Sequence, residues 1–220
     1  MEWSDAGPAF EDRRDAGRRL AARVRALAPE RPAVLALPRG GVPVGFEIAS
    51  ALGCPLDVAV VRKIGAPGNP ELAIGAVVDG DEPVVFVNSE VVRSLAVPID
   101  YVERASRDQI VEIERRRDVY LGGRPRPMVA GRTCIVVDDG IATGSTARAA
   151  SRALRAAGPS RLVLAVPVAP RGVVDDLAGS YDEIVVLETP AELGSVGRFY
   201  RDFRQVEDVE VIELLNRATR

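Results

Sequence analysis

The chain has 220 residues, 47% hydrophobic and only 5% aromatic, enough for one aliphatic core with a small subdomain attached. Its 29 basic and 32 acidic residues leave a formal charge of −3, so composition favours neither a nucleic-acid nor an anionic-membrane partner, and any anion site must be local. The lack of histidine excludes Ser-His-Asp and Cys-His catalysis and every His-ligated metal, and the two cysteines, Cys54 and Cys134, are too few for a zinc cluster and read as buried structural thiols.

From Phe10 to Leu27, apolar Ala16, Leu20, Val24 and Leu27 recur at helical spacing among arginines, predicting an amphipathic helix that ends before Pro29. The stretch before it, MEWSDAGPAF, lacks the basic-then-apolar order of a secretory signal, and no apolar run spans a bilayer, so a cytoplasmic location is expected. Short aliphatic runs at Ala33 to Leu37, Leu56 to Val61, Thr133 to Val137, Leu162 to Val166 and Ile184 to Leu187 predict buried strands. Helices are expected between them at Pro43 to Leu52, Ser145 to Ala157 and Gly172 to Ala178. That alternation predicts one α/β domain over 1–220, a mostly parallel doubly wound sheet with a small hood or lid subdomain.

Two regions depart from the alternation. Ala73 to Val78 and Pro83 to Val87, separated by Asp79, Gly80, Asp81 and Glu82, predict a hairpin. Pro98 to Tyr120 predicts a charged helix with Ile99, Val102, Ile110 and Ile113 on a narrow apolar stripe, and Gly122 to Pro127 a linker, so that about 73–127 forms an insertion.

Chemistry is concentrated where strands end. The run Cys134 to Val137 stops at Asp138 and Asp139, passes through Gly140, Ile141, Ala142, Thr143 and Gly144, and resumes as an alanine-rich helix at Ser145 and Thr146. At a strand–loop–helix corner the backbone amides carry partial positive charge and hold a phosphate without a basic side chain. Hydroxyls of Thr143, Ser145 and Thr146 can add donors. The two carboxylates would repel a bare phosphate and so suit sugar hydroxyls or a divalent cation. Read piece by piece, the same residues are a turn and a helix cap. A Walker loop is excluded because its lysine is missing, and no GxGxxG occurs.

The stretch VVDDGIATGST, Val136 to Thr146, resembles the phosphoribosyl pyrophosphate signature of the type I phosphoribosyltransferases. The resemblance implies that Asp138 and Asp139 hold the ribose hydroxyls, with Mg²⁺ as cofactor held in part through water, and that Ala142 to Thr146 wrap the 5′-phosphate. Leu37-Pro-Arg-Gly-Gly41 resembles the family's pyrophosphate loop, often built around a cis peptide, here at Pro38–Arg39 or Arg39–Gly40, with Gly40 and Gly41 beside the ligand. Arg62-Lys63, followed by IGAPGNPELAIG, resembles its strand-end cationic pair and mobile loop. Arg39, Arg62 and Lys63 would then stabilise a departing pyrophosphate. The resemblance covers about Ala33 to Leu187, apart from the hairpin and charged helix.

What it implies is transfer of phosphoribose to a nitrogenous acceptor such as a nucleobase, with phosphoribosyl pyrophosphate and a small acceptor as partners, no nucleic acid, no membrane, and self-association left open. Ala142 stands where relatives acting on 6-oxopurines typically carry an acid, which removes the obvious general base. A hood over Glu188 to Asp208 would let Phe199, Tyr200 and Phe203 stack on the acceptor; packing of those rings on the core is the alternative. Asp202 would bind metal or face water. The rival function is a non-catalytic sensor of phosphoribosyl pyrophosphate or a nucleotide.

Overall fold

The computed structural model describes residues 7–79, 83–123 and 129–218. In chain order, its first half holds α1 (Arg13–Ala26), β1 (Ala33–Ala36), α2 (Gly41–Leu52), β2 (Leu56–Val58), β3 (Val61–Ala66), β4 (Asn69–Val78) and β5 (Val84–Val87). The short α3 (Ser89–Ser94) and long α4 (Ile99–Leu121) follow. The second half holds β6 (Thr133–Val137), α5 (Ser145–Ala156), β7 (Arg161–Val168), α6 (Arg171–Leu177), β8 (Glu183–Glu188), a 3₁₀ turn at Val196–Phe199 and α7 (Asp208–Ala218).

Five strands form a wholly parallel sheet in the order β2-β1-β6-β7-β8. Both faces are covered, which is why β1 is apolar at every position, β6 at every position after Thr133, and both are buried throughout. Alternation along each strand sorts the side chains. Val34, Ala36, Ile135 and Val137 join the face packed by Leu20 and Val24 of α1, Val42 and Ile48 of α2 and Leu215 of α7. Leu35, Cys134 and Val136 join the opposite face, packed by Ala147, Ala150 and Leu154 of α5 and Leu177 of α6. Asp12 caps α1 by accepting from the Asp15 amide, and Gly17 lets α1 close on α2, because a Cβ there would lie 2.8 Å from the Val44 carbonyl oxygen. Both cysteines are free, and burial pushes each thiol up to about 11, in keeping with a structural role.

The second sheet, β3-β4-β5, is antiparallel and fits the small hood of the expected fold class. The expected hairpin is present, pairing Gly75 with Val87 through Val78 with Val84, although its turn residues Gly80 to Glu82 lie outside the described residues. Arg124 to Pro127 of the expected linker also lie outside them, after Gly122 and Gly123 end α4 with positive φ. The second sheet begins at β3, before residue 73.

Three expectations need correction. The strand expected over Leu56 to Val61 is two: β2 ends at Val58, and buried Ala59 and Val60 carry the chain round a corner into β3, so the apolar run gave no boundary signal. IGAPGNPELAIG is not an open loop but the β3–β4 hairpin, turning at Pro67 and Gly68. Its glycines read as loop punctuation, yet Gly65 sits at a bulge, where a Cβ would lie 2.6 Å from the Pro70 Cα. Finally, α3 and α7 were not expected, and 189–207 carries only the 3₁₀ turn, one bridge from Tyr200 to Phe10 and otherwise irregular chain.

Candidate active site

The sheet order places β1 and β6 side by side, although the chain runs from β1 outward to β2 in one direction and from β6 outward to β8 in the other. Such a switch point opens a crevice beyond the carboxyl ends of the two strands, where open α/β sheets bind ligands. Both glycine-bearing loops singled out in the sequence leave from it. They touch: a Cβ on Gly41 would lie 2.5 Å from the Val137 carbonyl oxygen, and one on Gly40 would overlap the Asp139 carboxylate. The peptide bond between Pro38 and Arg39 is cis, one of the two bonds expected.

The corner after β6 is open. Ala142, Thr143 and Ser145 are exposed and Thr146 is half-buried, while Ile141 points into the core with its amide donating to the Val168 carbonyl at 2.9 Å. α5 starts behind Gly144, at φ 72°, with no side-chain cap, so its first amides face the crevice. The Thr143 and Ser145 hydroxyls are 3.1 Å apart. Gly140 is required for space, since a Cβ would lie 2.5 Å from Val196 Cγ1.

The aspartates have unequal surroundings. Asp138 is half-buried; its Oδ1 accepts from the Asp139 amide at 2.9 Å, and burial, reinforced by the Asp139 charge, raises its carboxyl well above the ordinary value. Asp139 Oδ2 accepts from Arg13 Nε at 2.7 Å, with the two side chains only 11% and 15% exposed. The Asp139 carbonyl accepts from the Tyr200 hydroxyl at 2.6 Å.

The three expected cations do not share one cavity. Arg39 lies 3.8 Å from Asp208 and 3.9 Å from Glu207, and lines a cavity of about 220 Å³ with Arg115, Arg116 and Tyr120. Burial and the hydrogen bond to Asp208 push the Tyr120 phenol up to about 12. Arg62 donates through Nε to Gln109 at 3.0 Å, and with Lys63, Tyr101 and Asp108 lines a second cavity of about 510 Å³. Tyr101, Asp108, Gln109, Arg115, Arg116 and Tyr120 fall on one face of α4, so a single helix walls both.

The aromatic trio packs inward. Tyr200 is buried, with Phe10 and Phe203 at centroid distances of 5.3 and 4.9 Å, and Phe203 lies under the Arg13 guanidinium at 3.8 Å. Phe199 is partly buried in the same cluster. Of the two readings of these rings, the geometry matches the packing one for Tyr200 and Phe203. Exposed Asp202 accepts from the Arg204 amide at 3.0 Å. Among the described residues no group of three or more His, Cys, Asp or Glu side chains could enclose a metal, and no helix is long and apolar enough to cross a membrane. Arg13 escaped the sequence reading because 126 positions separate it from its partner and no local pattern marks it.

Comparison with known proteins identifies the family and the fold. The family profile described as the phosphoribosyl transferase domain matches residues 9–185. Two Mycobacterium tuberculosis proteins, each named a putative phosphoribosyl transferase, are 48% identical over 211 residues, which cover 96% of this chain and 47% of theirs. The chain thus spans about half the length of the curated relatives it matches. The crystal structure of TT1426 from Thermus thermophilus superposes with a TM-score of 0.83 at 43% identity, covering 94% of this chain and 97% of that one.

Proposed function

The chain belongs to the phosphoribosyl transferase family, and we propose that it moves phosphoribose from phosphoribosyl pyrophosphate to a nitrogenous acceptor, a nucleobase, releasing pyrophosphate. The observation that carries this reading is the open corner at the switch point: an uncapped helix N-terminus and two carboxylates meet the glycine loop of the neighbouring strand.

The first amides of α5 and the hydroxyls of Thr143, Ser145 and Thr146 receive the 5′-phosphate and fix the anomeric carbon. Asp138 and Asp139 receive the ribose hydroxyls. Scission of the bond from the anomeric carbon to pyrophosphate passes through an oxocarbenium-like state, so charge develops at both ends. Arg39 faces the departing pyrophosphate, with Gly40 and Gly41 letting it approach the backbone, while Arg62 and Lys63 add positive charge from the neighbouring cavity along the same α4 wall. Two carboxylates are too few to enclose Mg²⁺ but suit the usual arrangement in which one or two protein acids share the ion with water and phosphate oxygens. Mg²⁺ bound there would neutralise charge on the pyrophosphate. Ala142 offers no general base, so the acceptor nitrogen must attack in its own basic form or lose its proton to water.

Pyrophosphate release from phosphoribosyl pyrophosphate and Mg²⁺ is the test, run against a panel of purine and pyrimidine bases. Release with at least one base is expected. Tight binding without release with any acceptor would replace transfer by the sensor reading, and no binding at all would remove both.

A further inference from the structure

The grip on Asp139 comes from outside the signature. Arg13 opens α1, and its guanidinium is held on three sides: Nε donates to Asp139 Oδ2 at 2.7 Å, Nη1 donates to the Arg204 carbonyl at 2.8 Å, and Cζ stands 3.8 Å over the Phe203 ring. A guanidinium fixed in this way cannot follow solvent as a surface lysine does, and its planar fork sets direction as well as charge. The segment on its far side is tied to the same place. The Phe10 amide donates to the Phe199 carbonyl at 2.9 Å, the Arg201 amide to the Phe10 carbonyl at 2.9 Å and the Asp202 amide to the Glu11 carbonyl at 2.8 Å. The Tyr200 hydroxyl then reaches the Asp139 carbonyl. Asp139 is thus clasped at its backbone from 199–204 and at one carboxylate oxygen from α1, so its other oxygen is what it can offer a ligand.

We infer that Arg13 is a positioning residue for the ribose end of the site, setting the Asp139 carboxylate in the orientation that receives the ribose hydroxyls. The inference rests on the functional reading above. A staple that only joined α1 to the C-terminal segment would alter stability and leave ligand affinity alone. A positioning residue separates the two substrates, because Asp139 meets the ribose of phosphoribosyl pyrophosphate and not the acceptor.

The experiment measures steady-state pyrophosphate release and calorimetric binding of phosphoribosyl pyrophosphate for the wild-type chain, Arg13→Gln, Arg13→Lys and the control Arg14→Gln, whose arginine, next to Arg13 on α1, pairs with Glu47 of α2 at 2.6 Å. Arg13→Gln is expected to raise both KM and Kd for phosphoribosyl pyrophosphate at least tenfold, with KM for the acceptor within twofold of wild type. Arg13→Lys, which keeps the charge without the fork, falls between, and Arg14→Gln matches wild type. Wild-type affinity for phosphoribosyl pyrophosphate in Arg13→Gln, or an equal loss of affinity for both substrates, overturns the inference. If Arg13→Gln does not fold, wild-type affinity in Arg13→Lys overturns it. Failure of the unmutated chain to bind phosphoribosyl pyrophosphate is a different result, and it removes the functional reading itself.

Discussion

Replacing Gly41 with alanine tests whether the two loops work as one unit. The added methyl would lie 2.5 Å from the Val137 carbonyl oxygen and 3.0 Å from the Asp138 Cα, and both obstacles are backbone, which cannot rotate aside. Contacts under 3.0 Å do not persist, so the loops must part by at least about half an ångström. The separation acts on the bond from the Leu37 amide to the Val137 carbonyl, 2.8 Å long, which zips β1 to β6 at its ligand end. Overpacking of this kind costs about 1–3 kcal/mol. In a chain of this size each kcal/mol lowers the melting temperature by roughly 2–4 °C. Misplacing a site by about 1 Å costs on the order of a hundredfold in rate, so the half-ångström opening should cost roughly tenfold in kcat/KM. Gly179→Ala is the control, since a Cβ there meets nothing within 4 Å. Thermal unfolding and pyrophosphate-release kinetics on both variants decide the matter. If Gly41→Ala melts and turns over like Gly179→Ala, the loops are not in the contact described and the argument from their convergence fails.

Asp138→Asn should abolish pyrophosphate release while far-UV circular dichroism and the melting temperature stay near wild type, because an isosteric neutral amide is tolerated at this half-buried position, where a charge is already disfavoured; retained turnover would remove Asp138 from the site. Tyr200→Phe loses the hydroxyl on the Asp139 carbonyl and should cost about 1 kcal/mol in urea unfolding, with the ring packing kept. Arg155, donating at 2.8 and 2.9 Å, together with the Leu162 amide holds the Asp182 carboxyl below its ordinary value of 3.8. A depressed folded value means that the stabilisation is present above pH 3.8 and is lost as pH falls through the lower folded value. The stability gap between wild type and Asp182→Asn, about 0.5–1 kcal/mol for so exposed a pair, should be constant from pH 5 to 8 and shrink below about pH 4. A gap independent of pH would show that the carboxylate charge is not what stabilises.

The parallel sheet was legible, apart from the end of β2, because its strands are short aliphatic runs closed by a turn or a polar residue, a pattern that burial on both faces favours. The corner at Asp138 to Thr146 was legible for a related reason: its chemistry is local, carried by consecutive residues whose backbone makes the site. Sequence reading failed where structure depends on distance or on continuity. Nothing between Val58 and Val61 announces a change of sheet, since the corner is as apolar as the strands it joins. Gly65 and Gly68 read as loop because a bulge and a tight turn use the residue that an open loop uses. Arg13 looks like any other arginine on a solvated helix until the fold brings it to Asp139. Tyr200 and Phe203 were seen as aromatics near a ligand, but which way a ring faces is decided by Phe10 and Arg13, far away in the chain.

The 23 residues of α4 make a rod about 35 Å long. Near its start the Tyr101 hydroxyl is pinned to the Gly65 carbonyl at 3.1 Å, and near its end the Tyr120 hydroxyl is pinned to Asp208 at 2.8 Å. The two cavities therefore share one stiff strut, fastened to the small sheet at one end and to the C-terminal helix at the other.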